Sequence, residues 1–530
     1  MAHEKIFFNG NILTQDKSQS LATAFAVADG KIIGAGSDES ILRIFNEHCE
    51  RIDLQGATVL PGFNDAHIHI WKVGNLMTYM LDLRGVQSMD EMKQRLSDYA
   101  KQNPDLEWIQ ARGFNEVLFA DKRMPNRFDL DGIISDRPVS VIRTCAHQLI
   151  VNTMALNLSG VTIQTPIPQG GEIKLLPDGN LAGHFTETAM GLVMNKVPSY
   201  GANHYRKMIL AAQDEFLKVG ITSATDPAVM PDLLEVYKSM DRNSELKIRV
   251  NAIPIIVPDG AAEPLPLPEK YQSDHLKVDT VKFFSDGGLS GKTAAMKKPY
   301  RNSEDYGVLR LTKDFFLPLA REAQEHGFRI ATHAIGDAAI DLVLDVYEKI
   351  ASLNKNNIRH RIEHLGLPSV ENLELMHAMQ VSAVMQPIFI YELGKNFRQH
   401  LSDTYLEEVY PARSVLNHKI NLSFSTDAPV VKDFNPFTGL RSAVDRHDAD
   451  GQPIAAHQKI TVGEGIYAYT MGSAVANGDE QNRGSISPGK WADFIVLNKD
   501  VSKLSTDEIS KCQAQQTYIN GICQFLIPNS

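Results

Sequence analysis

The sequence predicts an α/β fold: a (β/α)8 TIM barrel with a small β-sandwich built from both chain ends and a long insertion after barrel strand one. Three observations predict it. Short β-branched runs alternate with helical stretches through the middle of the chain, and alternating β and α units imply a parallel sheet. Eight such runs can be counted, the number that closes a barrel. Both ends instead read as short strands and turns. The chain has 530 residues, well beyond the roughly 250 of a typical barrel, so the barrel must carry attachments.

Residues 1–62 open with KIFFNGNILT and TAFAVADGKIIGAG, followed by a short helix around Glu39–Phe45 and then RIDLQGATVLPGF. Residues 478–530 have the same texture in GSISPGKWADFIVLN and TYINGICQF. Each end is too small to bury a core by itself, so the two are expected to pair into one module.

The barrel is expected over 63–477. Its strands are NDAHIH, ITSATD (221–226), IRVNAI (248–253), TVKFFSD (280–286), RIATHA (329–334), RIEHL (361–365), VSAVMQ (381–386) and NLSFSTD (421–427). HYRKMILAAQDEFLKVG, FLPLAREAQEHG and DAAIDLVLDVYEKIA, with apolar residues every three or four positions, supply helices. Residues 84–215 interrupt this alternation with PVSVIRT and the turn-rich TPIPQGGEIKLLPDG. Insertions that follow barrel strands sit at the catalytic face, so this one reads as a lid or substrate-recognition subdomain.

Composition narrows the function. With 43% hydrophobic and 22% charged residues the chain can form sizeable cores, which excludes global disorder. Lys+Arg 53 against Asp+Glu 64 gives a net charge of −11, which repels nucleic acid and anionic membranes in the absence of a basic patch. The first residues show no basic-then-apolar signal, and no apolar run approaches the roughly 18 residues that span a bilayer. A cytoplasmic enzyme acting on a small molecule is expected. Cys49, Cys145, Cys512 and Cys523 lack CxxC spacing and read as buried thiols.

The chemistry lies where the predicted strands end. His67 and His69 sit two apart in NDAHIH, where strand alternation would turn both imidazoles to the barrel interior. RIATHA offers His333, RIEHL offers His364 and NLSFSTD offers Asp427, while TVKFFSD buries Lys282 in an apolar strand where a bare ammonium is costly. Each has a structural reading of its own: a core histidine pair, a hydrogen-bonded strand end, a turn-forming aspartate, a snorkelling lysine. Their conjunction at one end of strands one, four, five, six and eight is what a metal site requires.

In that order the chain resembles the amidohydrolase superfamily, and within it amidohydrolase family 3, the branch of N-substituted formamide deformylase-like proteins. PGFNDAHIH, VKFFSDGGLSGKTAA, ATHAIGDAAID, RIEH, STDAP and GSISPGKWADFIVL carry the resemblance over nearly the whole chain. GFNEVLF, MPNRFDLD and DRPVSVIRTCAHQLIVNTMAL carry it through the insertion. The resemblance implies that His67, His69 and Asp427 hold one metal and His333 and His364 a second, with Lys282 bridging as an N-carboxylysine. It implies one or two divalent ions per chain, and imidazole with carboxylate donors suits zinc. Gly288 stands where many relatives carry a serine, a departure in the loop after Lys282. Size and the family's habit point to a homodimer.

The expected reaction is hydrolysis of a C–N bond in a small amide, N-formyl, N-acyl or cyclic amide compound. A divalent metal lowers the pKa of water to about 7 and polarises the carbonyl. Asp427 is expected to take the water's proton and pass it to the leaving nitrogen. Lactone or ester hydrolysis, deamination, and a non-catalytic regulatory protein on a degenerate barrel are the alternatives; the complete ligand set argues against the last. His147, Asn115, Asp286 and Tyr300 are candidate substrate contacts, with Glu116 in the same segment as Asn115, and each also has a loop-stabilising reading.

Overall fold

The computed structural model describes residues 4–44, 49–144, 148–168, 171–258, 263–353 and 358–527. The chain forms two compact units, one of Met1–Ile70 with Gln213–Ser530 and the other of Trp71–Ala212.

The first unit is α/β and TIM-barrel-like. Its parallel strands are β1 (Phe63–Asp65), β2 (Ile221–Val229), β3 (Arg249–Pro254), β4 (Thr280–Phe284), β5 (Arg329–Ala334), β6 (Arg361–His364), β7 (Ser382–Met385) and β8 (Leu422–Phe424). β1, β2 and β3 pair in that order, and β4 to β8 pair consecutively in a second run. An isolated parallel bridge, Ile255 to Lys282, joins β3 to β4. At the other edge, Ala66 N donates to Phe424 O at 3.2 Å, between the ends of β1 and β8. Helices Ala202–Lys218, Lys313–Glu325 and Asp337–Ala351 precede or follow these strands, each burying its apolar side. Thr312 caps the second of these by accepting from Phe315 N, satisfying one of the orphan donors of the first turn.

The two chain ends meet in one six-stranded sheet, where Thr58–Pro61 pairs antiparallel with Phe494–Leu497. A four-stranded sheet of N-terminal residues shares an apolar core with it. Phe7 stacks on Phe25 at 4.9 Å and Phe494 on Tyr518 at 4.3 Å inside that core. Arg249 of β3 ties the terminal sheet to the parallel strands. Its guanidinium is fully buried and donates to both carboxylate oxygens of Asp493, at 2.5 and 2.9 Å, and to Asn520. Cys49 and Cys512 are buried, whereas Cys523 is exposed, contrary to expectation, because it lies on the largely exposed outer strand Ile522–Leu526. Cys145 falls outside the described residues.

The second unit is built on a six-stranded mixed sheet that includes Ile109–Phe114 and Val139–Arg143, paired in parallel. Helix Met89–Gln102 packs its buried residues Met92 and Leu96 into that unit's core. No described helix is long and apolar enough to cross a membrane.

β6 carries more polar residues than a buried strand normally bears, and its entry is held by His360. The Nδ1 of His360 accepts from Ile330 N at 3.1 Å, and its carbonyl accepts from Ser382 N, so one residue fixes β6 between its two neighbours. Burial, reinforced by the Arg329 cation, pushes the His360 imidazole down from 6.5 to about 3. As the pH falls from 6.5 towards 3, the unfolded chain takes up a proton here that the folded chain refuses. Stability should therefore decline with falling pH, by up to about 1.4 kcal/mol per pH unit. His360→Asn, whose side-chain oxygen can accept from Ile330, should show a shallower decline in chemical-denaturation midpoints between about pH 6.5 and 4. Equal slopes for both proteins would contradict this role.

Candidate metal centre

The site is assembled from the ends of β1, β4, β5, β6 and β8. The expectation that His67 and His69 lie within a strand is corrected. β1 stops at Asp65 because its own carboxylate accepts the main-chain N–H of His67, at 3.1 Å, and takes it out of the ladder. Both histidines therefore occupy the turn leading into helix Ile70–Thr78. Asp427 likewise lies three residues past the end of β8. The same Asp65 carboxylate accepts from Thr426 Oγ1 at 2.7 Å, and Asp427 N donates to His67 O at 2.7 Å. The turns that carry His67 and Asp427 are thus stitched to each other.

His67, His69 and Asp427 each offer one atom, all within 4.8 Å of one another, and all three residues are buried. Asp427 Oδ1 stands 3.4 Å from His67 Nε2 and 3.3 Å from His69 Nε2 without meeting hydrogen-bond geometry, and it has no hydrogen-bond partner among the described residues. Burial raises the pKa of Asp427, but the two imidazoles outweigh it and hold the carboxyl well below the usual range. Its φ of 59° lies in the left-handed region, a strained conformation for a residue with a side chain.

Lys282 projects from β4 with its Nζ fully buried and without a hydrogen-bond partner among the described residues, 4.7 Å from the centre of the Phe284 ring. Burial draws its pKa down to about 8, against the opposing pull of Glu363.

His333 and His364 complete the ring of imidazoles. Their centroids are 4.5 Å apart, and His364 is 4.9 Å from His67. His364 Nδ1 meets Gln386 Oε1 at 2.7 Å, and Gln386 Nε2 donates to Ser425, which fixes the amide so that Nδ1 carries the proton and Nε2 is left as a lone pair. Strand alternation would turn His364 away from the side shared by Arg361 and Glu363, but its φ of 74° brings the ring back among the others. His333 Nε2 lies 3.0 Å from Gly287 O and 3.3 Å from Asp286 Oδ1, so it is engaged with the loop after β4.

Sequence reasoning missed Glu363. This carboxylate is fully buried and its Oε2 lies 2.5 Å from His67 Nδ1. Arg361 donates to Glu363 Oε1 at 2.5 Å and Oε2 at 3.0 Å, to Asn477 Oδ1 at 2.6 Å and to Ala66 O at 2.6 Å. Burial raises the pKa of Glu363, but Arg361 and His67 together hold it well below the usual range. An ionised carboxylate on Nδ1 fixes the tautomer of His67 and points the Nε2 lone pair into the site, the usual support of a metal-binding imidazole. The signal was present in RIEH: opposite charges two apart on a buried strand face the same way and must be there for each other.

The candidate substrate contacts fall differently. Asn115 Oδ1 accepts from Arg143, which also pairs with Glu116. Asp286 is buried and accepts three main-chain N–H groups, from Ala295, Ile335 and Gly336, which is loop-holding geometry. The buried Tyr300 hydroxyl donates to Ala294 O at 2.9 Å. His147 lies outside the described residues. A Cβ at Gly288 would meet nothing within 4 Å, so a serine would fit there.

The donor set fits a divalent cation. Imidazole nitrogens of His67 and His69 and a carboxylate oxygen of Asp427 converge on one buried point, and a buried carboxylate oxygen with no hydrogen-bond partner among the described residues requires a positive partner. Glu363→Gln should therefore weaken metal binding by about 10–100-fold, measured by chelator competition on protein whose circular dichroism is unchanged. Undiminished affinity would show that Glu363 does not orient His67.

The amidohydrolase family model matches residues 50–524. YtcJ of Bacillus subtilis (strain 168) is 29% identical over 526 residues, covering 97% of this chain and 98% of that protein. The N-substituted formamide deformylase of Arthrobacter pascens is 25% identical over 541 residues, covering 98% of each. Among solved structures, an uncharacterised metal-dependent hydrolase from Pyrococcus horikoshii OT3 superposes with a TM-score of 0.80 at 26% identity, covering 95% of this chain and 99% of that one. With a match that runs from the terminal strands through every element of the site, the chain belongs to the amidohydrolase family, and within it to amidohydrolase family 3.

Proposed function

We propose that the chain is a metal-dependent hydrolase that cleaves the C–N bond of a small amide, N-formyl, N-acyl or cyclic amide compound. The observation that carries this reading is the convergence of His67, His69 and Asp427 on one buried point, beside a lysine with no hydrogen-bond partner among the described residues. The likeness to the Arthrobacter N-substituted formamide deformylase supports a C–N bond as the target.

In this reading His67, His69 and Asp427 hold one divalent ion, with zinc the best match to the donors. His333, His364 and Lys282 supply the remaining ligand positions. A lysine whose pKa is drawn down to about 8 keeps part of its population neutral near physiological pH, the form that adds carbon dioxide to become a carbamate. Carboxylation would turn a costly buried cation into an anionic oxygen donor. The bound metal supplies Lewis acidity, polarising the substrate carbonyl and making water easier to deprotonate.

Asp427 then does the proton work. Its Oδ2, the oxygen left when Oδ1 faces the ion, would accept a proton as the water oxygen bonds to the carbonyl carbon, and return it to the nitrogen as the C–N bond breaks, so that acid and neutral amine are released. Glu363 keeps His67 aimed throughout. We further propose that β1 to β8 close into one eight-stranded barrel within 63–477, and that residues 1–62 and 478–530 form a β-sandwich. The 84–215 region, with Asn115 and His147, would be the lid that selects substrate. A cytoplasmic homodimer is the expected state.

Protein reconstituted with zinc and bicarbonate should hold about one to two metals per chain and hydrolyse members of a panel of N-formyl amines, N-acyl amines and cyclic amides. Activity should be lost on chelation. Lys282→Ala should lose metal and activity, with partial recovery on adding short carboxylates, and Asp427→Asn should depress kcat by about 100-fold or more. Less than about one metal per chain after reconstitution, or turnover of lactones, esters or aminopyrimidines alone, would contradict the reading.

A further inference from the structure

Away from the residues of the metal centre, the 71–212 unit contains a cavity of about 250 Å³, lined by Tyr79, Trp108, Tyr200 and His204 together with Asp105, Glu107 and Gln110. The rings form a continuous cluster: Tyr79 lies 6.0 Å from Tyr200 and 5.1 Å from His204, and Tyr200 lies 5.8 Å from His204.

Three side-chain donors of this lining are already used. Trp108 Nε1 donates to Ser140 Oγ at 3.2 Å, which leaves the indole to present only its ring. Gln110 Nε2 donates to the Tyr200 hydroxyl at 3.1 Å, and that hydroxyl donates to Asn75 Oδ1 at 3.1 Å. The chain of donors fixes the amide of the buried Gln110. His204 Nδ1 accepts from Gly201 N. What the cavity presents to a cation is the carboxylates of Asp105 and Glu107 and the aromatic cluster, beside His204 Nε2 and the hydroxyls of Tyr79 and Ser199. No lysine or arginine is among the lining residues. At its rim, Lys207 Nζ sits 5.0 Å from the Tyr79 centroid, so one of these rings already attracts a cation of the chain itself.

Electron-rich ring faces combined with carboxylates attract ammonium groups and discriminate against anions and neutral molecules. We propose that this cavity binds a small organic cation, a primary or quaternary ammonium compound, independently of the metal centre.

The test is isothermal titration calorimetry of the full chain with choline chloride and with 3,3-dimethylbutan-1-ol, its uncharged isostere. Choline should bind saturably and at least roughly tenfold tighter than the alcohol. Asp105→Asn combined with Glu107→Gln, both at exposed positions, should weaken choline by a similar factor without altering thermal unfolding, and Tyr79→Leu should weaken it further. His67→Ala should bind choline as the wild type does. Absence of saturable binding, equal affinity for the two probes, an unaffected double variant or loss of binding in His67→Ala would each overturn the proposal.

Discussion

The site depends on a buried ionic chain, Arg361 to Glu363 to His67. Removing a carboxylate from water costs several kcal/mol unless strong partners replace the lost hydration. Glu363 has two, a guanidinium that grips both its oxygens and an imidazole at 2.5 Å. The guanidinium then reaches Ala66 O at the end of β1 and Asn477, whose amide donates to Thr225 on β2. β6, β1 and β2 are therefore locked by charge as well as by backbone pairing. Sliding β6 by one residue would strand an ion in the core, so the position of His67 is set by the most expensive group in its surroundings.

On that frame the remaining groups are held in conformations they would not choose alone. His364 and Asp427 both have left-handed backbones, each costing about 1–3 kcal/mol. Asp65 ties the turn of His67 to the turn before Asp427, and Gln386 fixes the His364 ring. Lone pairs are thus aimed before any ligand arrives, and the orphaned Asp427 oxygen and Lys282 nitrogen are what such preorganisation leaves behind.

The alternation of strands and helices was legible because parallel strands buried on both faces leave continuous apolar runs. The metal-ligand candidates were legible because histidine, lysine and aspartate are conspicuous at the ends of such runs. Strand ends were not: Asp65 captures the N–H of His67 only two residues on, and what holds its carboxylate in place for this is Thr426, 361 residues away along the chain. Glu363 escaped notice because a charged residue beside a histidine looks like part of the same motif. Asp286 drew attention as a polar residue near the mouth, whereas its oxygens serve the main chain of two loops.

The central claim is that His67, His69 and Asp427 share a metal ion. Anomalous diffraction from crystals of metal-reconstituted protein tests it most directly. The account predicts a peak at about 2.0–2.2 Å from His67 Nε2, His69 Nε2 and an Asp427 carboxylate oxygen. A fully loaded protein whose anomalous peak lies elsewhere, with these three side chains unligated, would contradict it.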